Sequence, residues 1–256
     1  MLSVVLPCFN ESRHGYLPKI LGNLCGQAGD KQLIAVVSPS TDNTLWVIQQ
    51  FPEVEIIKTD ASNRAQRLNV GIEASDGDAV LLHHPATLLP KNALLQAEVA
   101  LASAAWGGFV HSFDVDHWLL RFTSWYSTTQ RSQRQRILYL DHCIFAKRQV
   151  LLAIGGVPDM DIFEDTALSL ALAKWGTPAI ASGKVITSAR RFQSRGIYRQ
   201  ALLNQLLKLM YLTQQDPKKL NWLYESKSQI NVAYSDQSLD QSLNCPENRP
   251  NLEQEK

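Results

Sequence analysis

The chain has 256 residues, 45% of them hydrophobic and 19% charged, a composition that predicts a folded core and excludes a disordered protein. A formal net charge of +1 gives no overall field to attract nucleic acid, so we expect no nucleic-acid partner. The four cysteines are Cys8, Cys25, Cys143 and Cys245. Their spacing is not that of metal ligands, which favours reduced thiols in a cytoplasmic protein. Neither a secretory signal nor an apolar run of the roughly 20 residues that a membrane-spanning helix needs is visible.

Strands and helices alternate along the first hundred residues. The predicted strands are Leu2–Leu6, Gln32–Val37, Val54–Lys58, Ala79–His83 and Trp106–Phe113, and the predicted helices are Leu17–Cys25, Leu45–Phe51, Arg64–Ala74 and Leu94–Ala105. This alternation is typical of an α/β protein with a doubly wound, mostly parallel sheet and helices on both faces. Ligands bind such sheets beyond the carboxyl ends of the strands, so we expect the functional side chains there.

The second half of the chain predicts two further strands and an amphipathic helix. Cys143–Ala146 has the pattern of a short buried strand, and Ile180–Thr187 that of a closing strand. Between them Leu168, Leu172 and Trp175 recur at i, i+4 and i+7, which predicts a helix with one apolar face toward a core.

Two carboxylates, Glu164 and Asp165, begin this predicted helix. Free backbone N–H groups at a helix N-terminus favour the ionised form of a nearby carboxyl group. An ionised carboxylate held in place there can act as a general base. Acidic first turns are also common as simple caps, and for this pair alone capping is the more frequent explanation.

Two arginines, Arg64 and Arg67, lie three residues apart near the start of another predicted helix. Guanidinium groups at a helix N-terminus suit a phosphate, although solvated surface arginines are about as common. The chain contains neither a P-loop motif nor the glycine motif of a standard dinucleotide site.

Five motifs occur in an order that resembles the family 2 glycosyltransferases with the A-type fold. They are LPCFNE (Leu6–Glu11), STDNT (Ser40–Thr44), NRAQRLNVG (Asn63–Gly71), GDAVLLHHPATLLP (Gly77–Pro90) and FED (Phe163–Asp165). Later segments, Tyr139–Phe145, Thr187–Arg191 and Arg195-Gly196, resemble a narrower branch of small bacterial transferases often described as arsenosugar-biosynthesis type. The resemblance covers about residues 1–224.

The resemblance implies one domain over residues 1–225, with a nucleotide-sugar half at 1–113 and an acceptor half at 114–225. The polar segment 226–256 is expected to be a disordered tail. The implied reaction moves a sugar from a nucleotide-diphosphate donor to an acceptor that the sequence does not identify, by direct displacement with a carboxylate base. Asp165 is the expected base, and Glu164 is the alternative.

The resemblance also implies roles for ten other side chains. Pro7, Asn10 and Glu11 would lie against the nucleoside, Arg64, Arg67 and Asn69 toward the ribose or diphosphate, and Asp141, His142, Arg190 and Arg191 toward the acceptor or diphosphate.

The sequence departs from the family pattern at two positions. Val37 stands where family members carry the aspartate that contacts the base, and Ala86 stands where they carry a metal-binding acid. A divalent metal, manganese or magnesium, is thus a possible cofactor whose usual ligand is absent. His83 and His84 have metal-binding nitrogens, but such residues are more often a buried strand-end histidine and a loop hydrogen-bonding group.

Two interpretations remain open from the sequence. The first is an active transferase that stabilises the diphosphate with arginines instead of a cation. The second is a catalytically degenerate domain that binds a nucleotide, a sugar or a protein partner. A sugar-phosphate nucleotidyltransferase is a more distant third, because the glycine-rich, arginine-containing loop after the first strand is missing.

A last predicted helix, Tyr198–Leu212, carries Leu202, Leu206, Leu209 and Met210 toward one side and is flanked by basic residues. A basic amphipathic helix can make peripheral contact with an anionic membrane. Packing of its apolar side on the protein core is the more frequent arrangement.

Overall fold

The computed structural model describes residues 1–12 and 15–226, which include an eight-stranded sheet. The strands are β1 (Leu2–Cys8), β2 (Lys31–Val37), β3 (Val54–Lys58), β4 (Ala79–Leu82), β5 (Thr87–Leu88), β6 (Trp106–Phe113), β7 (Phe145–Lys147) and β8 (Ala179–Thr187). Their order is β3-β2-β1-β4-β7-β6-β8-β5. β7 pairs antiparallel with β4 and β6, and β5 pairs antiparallel with β8, whereas the remaining neighbours are parallel. Six strands therefore point in one direction.

Helices cover both faces of the sheet. They are α1 (Leu17–Cys25), α2 (Thr44–Gln49), α3 (Arg64–Glu73), α4 (Ala93–Ser103), α5 (Trp118–Tyr126), α6 (Arg148–Ala153), α7 (Glu164–Leu172), α8 (Arg190–Arg195), α9 (Ile197–Leu212) and α10 (Pro217–Ser226). A π-helical segment, Ser127–Gln135, continues α5, and 3₁₀ turns occupy Leu140–His142 and Ala173–Trp175. No helix in the described part of the chain is long and apolar enough to cross a membrane.

The core has one layer on each face of the sheet. Side chains alternate along a strand, so in β1 Leu2, Val4 and Leu6 pack with α1, α2 and α4, whereas Val5 packs with α3 on the other face. All seven residues of β1 are buried. A strand buried on both faces requires a continuous apolar run, which is why this segment does not alternate between apolar and polar residues.

The six strands of common direction end at one edge of the sheet. β1 ends at Cys8, β2 at Val37, β4 at Leu82, β6 at Phe113 and β8 at Thr187. The loops that follow these residues therefore meet, and the segments after β1 and β8 carry Asn10, Glu11, Arg190 and Arg191.

Helix α3 lies unusually close to β1 at Gly71. A Cβ at this position would overlap Cγ1 of Val5 and would also crowd Cγ2 of Val36. A glycine allows the helix backbone to approach the sheet here. The start of α3, and with it Arg64 and Arg67, is thereby fixed relative to the central strands.

The mostly parallel sheet with helices on both faces confirms the predicted fold class, but two local predictions were wrong. The strand predicted at Cys143 begins at Phe145, because Cys143 has a left-handed φ of 50° after a 3₁₀ turn. Trp175 is 50% exposed, because the 3₁₀ turn at the end of α7 rotates it away from the buried stripe of Leu168 and Leu172. The predicted tail lies outside the described residues beyond Ser226, and the proposed division of the chain into halves stays a prediction.

The expectation that the leucine side of the last predicted helix packs on the core was also wrong. Leu202 is 73%, Leu206 51% and Leu209 60% exposed on α9. The buried residues of α9 are instead Gln200 and Leu207. The apolar stripe of this helix therefore faces outward.

Candidate active site

The loops after β1 and β2 are joined by hydrogen bonds at the carboxyl edge of the sheet. Asn10 Oδ1 accepts from the Thr41 N–H at 2.8 Å, and the Asn10 N–H donates to Ser40 Oγ at 3.1 Å. The Glu11 N–H donates to Thr44 Oγ1 at 2.8 Å. These contacts hold Asn10 at a φ of 54°, a left-handed conformation that asparagine tolerates better than most residues. The protein's own hydrogen bonds thus fix the β1 loop.

Glu11 and Arg190 bring the ends of β1 and β8 together. Arg190 Nη2 lies 3.8 Å from Glu11 Oε2, and both side chains are largely buried. Burial raises the pKa of Glu11, while Arg190, Arg191 and Arg67 act to lower it. Nη1 of Arg190 is buried and makes no hydrogen bond to any described residue. Two carboxylates, Glu11 and Asp42, lie here with three guanidinium groups, so positive charge is in excess.

Arg67 supplies the third of these guanidinium groups from α3. It is 7% exposed, donates from Nη1 to Ser38 Oγ at 3.1 Å, and lies 5.5 Å from the centre of the Phe9 ring. Burial lowers the pKa of Arg67, and the charge of Glu11 opposes that effect. A guanidinium keeps its proton at neutral pH, so Arg67 contributes a fixed positive charge beside the β1 loop.

Glu164 and Asp165 form the first turn of α7, and Arg64 from α3 contacts both. Arg64 Nε is hydrogen-bonded to Glu164 Oε1, and Arg64 Nη2 lies 4.0 Å from Asp165 Oδ2. The Asp165 Oδ2 also accepts from the Leu140 N–H at 3.1 Å. The N-cap residue is Phe163, with a φ of 64° and no side-chain cap. Asp165 is therefore not the N-cap residue, although its Oδ1 accepts from the Thr166 N–H at 2.7 Å, and it connects α7 to the segment before β7.

The two carboxylates differ in accessibility, and the pKa of Asp165 is raised. The Glu164 side chain is 2% exposed and that of Asp165 is 13% exposed. Burial, followed by the charge of Glu164, raises the pKa of Asp165 from 3.8 to about 6, although Arg64 acts to lower it. A base is most effective when its pKa lies near the working pH. Asp165 is thus the more accessible of the two and is ionised, but only moderately acidic, at neutral pH.

Asp141 lies between two buried histidines. Its Oδ2 is 3.4 Å from His111 Nε2, and its Oδ1 is 3.9 Å from His142 Nε2. His142 is fully enclosed, with Nδ1 bonded to Phe109 O at 2.9 Å and Nε2 to Ser127 Oγ at 2.8 Å. Burial lowers the pKa of His142 to about 4 and also lowers that of His111, so both rings are neutral at pH 7. His142 therefore has no free ring nitrogen for a ligand, and it holds β6 against the π-helical segment.

Two cations share the ring of Tyr139 near these carboxylates. Arg131 Cζ lies 4.6 Å and Lys208 Nζ 5.3 Å from the centre of the ring. Burial, followed by repulsion from Arg131, lowers the pKa of Lys208 to about 8, whereas Asp141 and Asp165 act to raise it. Neither cation has a carboxylate within ion-pair distance among residues 1–12 and 15–226. Asp141 and Asp165 therefore act on Lys208 only from beyond ion-pair distance.

Asn69 is enclosed between α3 and the loop that leads to α7. Its Nδ2 donates to Val157 O at 2.8 Å, and its Oδ1 accepts from the Val157 N–H at 2.7 Å. Gly156, with a φ of 79°, allows this approach, because a Cβ there would overlap Asn69 Oδ1. Asn69 thus positions the α7 loop. Pro7 is buried inside β1, opposite Val36 of β2.

The structure therefore groups the predicted residues into two neighbouring clusters. The first contains Asn10, Glu11, Arg67, Arg190 and Arg191, and the second contains Arg64, Asp141, Glu164 and Asp165. His84 lies within electrostatic range of both clusters, because its pKa is lowered by burial and then by Arg64 and Arg190, against an opposing effect of Asp141.

The model of the family named "Glycosyl transferase family 2" matches residues 3–152, which is more than half of the chain. The chain belongs to glycosyl transferase family 2. Together with the sheet described above, this confirms the expectation of a family 2 glycosyltransferase. The arsenosugar-type branch stays a prediction, and a search of curated protein sequences finds no match.

Solved structures show the same fold at low sequence identity. A mannosyltransferase from Pyrobaculum calidifontis, PcManGT in complex with GDP-Man and Mn²⁺, matches with a TM-score of 0.63 and 20% identity over 91% of this chain and 70% of its own. TarS from S. aureus matches with a TM-score of 0.60 and 14% identity over 82% of this chain. The TarS 1–349 complex with UDP-GlcNAc matches with a TM-score of 0.59 and 15% identity over 74% of this chain and 58% of its own. The chain spans 39% of the length of TarS.

The residues at the end of β4 do not fit the divalent metal that this fold can hold. Ala86, where the family pattern has an acid, is 3% exposed and offers no ligand atom. His84 Nδ1 is 3.0 Å from Thr87 Oγ1, and His83 is fully buried with its pKa lowered to about 3 by burial. Within the described residues, no group of three or more His, Cys, Asp or Glu side chains is placed to hold a metal ion.

Three further residues beside the second cluster were not predicted from the sequence. His111, Arg131 and Lys208 meet Asp141 or Tyr139 from three separate elements. His111 lies inside a strand, and Arg131 lies in a polar segment without helical or strand periodicity. Only the three-dimensional packing brings them together, so the sequence carries no local signal of their proximity.

Proposed function

We propose that this protein is an active glycosyltransferase that transfers a sugar from a nucleoside-diphosphate donor to a nucleophilic acceptor by direct displacement. The observation that carries the proposal is the position of Asp165, a partly exposed carboxylate with a raised pKa beside Arg64. The cytoplasm, where nucleotide sugars are made and thiols stay reduced, is the expected compartment.

In this reaction Asp165 removes the proton from the acceptor hydroxyl as the acceptor oxygen attacks the anomeric carbon. The bond from that carbon to the diphosphate oxygen breaks, and its electron pair leaves with the nucleoside diphosphate. Glu164 keeps its charge paired with Arg64 and thereby holds Arg64 beside Asp165. Asp165 is favoured over Glu164 as the base because Glu164 is almost fully enclosed.

Arginines are proposed to compensate the charge of the departing diphosphate. Nη1 of Arg190 is buried without a hydrogen-bond partner in the described chain, which is the state expected of a donor that awaits an anionic oxygen. Arg67 and Arg191 act on the same carboxylate, Glu11, and supply further positive charge. Fixed positive groups beside a leaving diphosphate stabilise the transition state.

We further infer that the acceptor carries an anionic group. Arg131 and Lys208 both rest on the Tyr139 ring, and the two cations repel each other without a carboxylate in ion-pair contact among the described residues. A phosphate or carboxylate on the acceptor would relieve this repulsion. Lys208→Gln should then raise KM for the acceptor more than it lowers kcat, while Lys219→Gln, at an exposed lysine of α10, should change neither.

Calorimetric titration with uridine, guanosine, adenosine and cytidine diphosphates, in EDTA and in manganese, tests the donor site. We expect at least one nucleoside diphosphate to bind in EDTA, and Arg190→Gln to weaken it by roughly tenfold, the loss of about one charged hydrogen bond. Arg121→Gln, at an exposed arginine whose side chain is 70% accessible, is the matched control. Absence of binding in both conditions would overturn the proposal.

The replacements at Val37 and Ala86 favour a second candidate, a degenerate domain that binds a nucleotide or sugar without turnover. Val37 is 5% and Ala86 3% exposed, so neither supplies a polar contact to a ligand. Release of nucleoside diphosphate from the bound nucleotide sugar, in the presence of a panel of phosphorylated and neutral acceptors, separates the candidates. Tight donor binding with no release would favour the degenerate domain.

A further inference from the structure

Helices α5 and α9 present a stripe of large apolar side chains to solvent. On α5, Trp118, Phe122 and Trp125 recur at i, i+4 and i+7 and are 52–57% exposed. On α9 the exposed residues are Tyr198, Leu202, Leu206, Leu209 and Leu212, between 51% and 75% accessible. We call these eight side chains the aromatic–leucine face. Apolar patches of this size on a protein surface mark a site of interaction.

The stripes of the two helices join into one surface. Trp118 Nε1 donates to the Tyr198 hydroxyl at 3.2 Å, and the two ring systems lie 6.3 Å apart. Beneath them Leu120 of α5 packs with Ile197 and Ala201 of α9 in a small core of their own. Farther along, the π-helical continuation of α5 and the second half of α9 approach the same ring, that of Tyr139. The two helices therefore meet at their N-terminal ends, and the Tyr139 ring bridges their later parts.

The burial pattern of α9 is the reverse of that of an ordinary surface helix. Gln200 is 1% exposed, whereas Leu202 is 73% exposed only two residues later. Gln200 is held inward by hydrogen bonds to Asn204 and Arg195. A helix that buries glutamine and exposes leucine would be unfavourable in water alone, so the leucines are placed to meet an apolar medium.

The charge around this face is strongly one-sided. The segments 117–140 and 188–215, which contain both helices, carry nine of the 25 basic residues of the chain and none of its 24 acidic residues. The basic residues are Arg121, Arg131, Arg134, Arg136, Arg190, Arg191, Arg195, Arg199 and Lys208. Of these, Arg121, Arg134, Arg136 and Arg199 are exposed. Neither segment contains a carboxylate, although Arg121 Nη1 lies 3.0 Å from Oδ1 of Asp116, directly before the first segment. The apolar face is thus bordered by accessible cations.

An apolar face with a cationic border favours one kind of binding partner over the others. A second copy of the chain would bring its own cationic border against this one, and the like charges would oppose association. Segment 227–256, outside the described residues, contains more Gln, Asn and Ser than large apolar residues and matches the face poorly. An anionic bilayer offers both an apolar layer for the leucines and negative headgroups for the arginines, and tryptophan and tyrosine favour its interface.

We propose that the aromatic–leucine face binds peripherally to the surface of an anionic lipid bilayer. Leucine side chains of α9 enter the acyl boundary, tryptophans of α5 lie at headgroup level, and the exposed arginines contact lipid phosphates. The opposite side of α9 reaches the active site, since Tyr211 stacks 4.7 Å from Phe163, directly before Glu164. Membrane binding through this face places the acceptor side of the site next to the bilayer.

Flotation of the purified full-length chain with lipid vesicles tests the proposal without any measurement of activity. We expect the protein to float with vesicles of phosphatidylcholine and phosphatidylglycerol, to float weakly with phosphatidylcholine alone, and to be released by high salt. The triple variant Leu202→Ser, Leu206→Ser, Leu209→Ser should lose at least tenfold in partitioning, because it removes three apolar side chains that would enter the acyl layer. The three side chains are exposed, so the fold should survive, as circular dichroism would verify.

A matched control replaces exposed apolar residues elsewhere, Val99→Ser and Leu152→Ser, which are 74% and 45% accessible. It should float like the wild type. Equal flotation of the triple variant and the control would overturn the proposal. So would absence of flotation with anionic vesicles, or a wild-type dimer in lipid-free buffer that the triple variant abolishes, which would assign the face to a second copy.

Discussion

The two halves of the chain hold their functional side chains by different means. In residues 1–113 the site loops follow regular parallel strands, and hydrogen bonds between adjacent loops fix them, as between Asn10 and Thr41. In residues 114–226 the backbone between β6 and α7 leaves regular geometry in a π-helical segment and in left-handed residues such as Cys143 and Phe163. Side chains there are fixed by buried polar contacts, such as that of His142 with Ser127.

This difference indicates which amino-acid substitutions each half of the chain tolerates. Strand register places a side chain through backbone pairing, so the first half depends on how closely helices and strands pack. An irregular segment has no register, so the second half depends on individual charged and polar contacts. Substitutions that keep shape but remove charge should therefore affect the second half most, and substitutions that add volume should affect the first.

The largest expected effect is that of Asp165→Asn in the second half. The change keeps the shape and the contact with the Leu140 N–H but removes the proton acceptor, so transfer at saturating donor should fall by roughly 10²–10⁴-fold with donor affinity near normal. Asp116→Asn, at a carboxylate 80% exposed, is the control. Equal rates for wild type and Asp165→Asn would exclude Asp165 as the base.

The raised pKa of Asp165 adds a pH test of the same group. Transfer should fall about tenfold per pH unit below about 6, as the base becomes protonated. Between pH 3.8 and about 6 the folded protein binds more protons at Asp165 than the unfolded chain, so this group's contribution to stability is lost as pH rises. Asp165→Asn should therefore raise the melting temperature at pH 7, and this gain should vanish below about pH 4. An unchanged melting temperature at pH 7 would contradict the raised pKa.

Glu164→Gln should act mainly on stability. Glu164 is nearly fully buried and hydrogen-bonded to Arg64, whose side chain is 34% exposed. Loss of the carboxylate leaves Arg64 without its main partner, so the free energy of unfolding should fall by roughly 1.5–3 kcal/mol in chemical denaturation. Glu98→Gln, at an exposed residue of α4, should leave it unchanged. A Glu164→Gln variant as stable as wild type would mean that the ion pair is not a structural contact.

Volume added at Gly71 tests the packing of the first half. A Cβ there overlaps Cγ1 of Val5, which is fully buried, so Gly71→Ala should lower the free energy of unfolding by about 1–3 kcal/mol and weaken donor binding by displacing Arg64 and Arg67. Gly22→Ala in α1, where a Cβ meets nothing within 4 Å, should instead increase stability by roughly 0.5–1 kcal/mol. If Gly71→Ala and Gly22→Ala changed the free energy of unfolding by the same amount, the close contact of α3 with β1 would not require a glycine at position 71.

The smallest expected effect is a gain in manganese-dependent nucleotide affinity when Ala86 is replaced. Ala86→Asp restores the acid that the family pattern has after β4, so manganese should then increase nucleoside-diphosphate affinity by about fivefold or more, as measured by calorimetry with and without manganese. The unmodified protein should show little such coupling. Tight manganese binding by the wild type at this site would contradict the interpretation of Ala86.

Sequence patterns predicted the first half of the structure better than the second. The apolar runs of β1, β2 and β4 and the amphipathic helices between them follow local periodicity, so the position of Glu11 and Arg67 at the carboxyl edge could be inferred. The contact of Asp141 with His111 spans thirty residues and an irregular segment, and no periodicity encodes it. The sequence left two arrangements open for the leucines of α9, because a leucine stripe has the same sequence pattern whether it meets a core or another apolar medium.

We expect the concentration of nine basic and no acidic residues in segments 117–140 and 188–215 to give the molecule a permanent dipole. The rest of the chain carries 16 basic and 24 acidic residues, so a net charge of +1 conceals two regions of opposite sign. Such a dipole experiences a torque near any charged surface and turns before contact is made. The orientation in which this protein approaches a negative surface is therefore set over a Debye length of about 8 Å at physiological salt, and it is lost as added salt shortens that length.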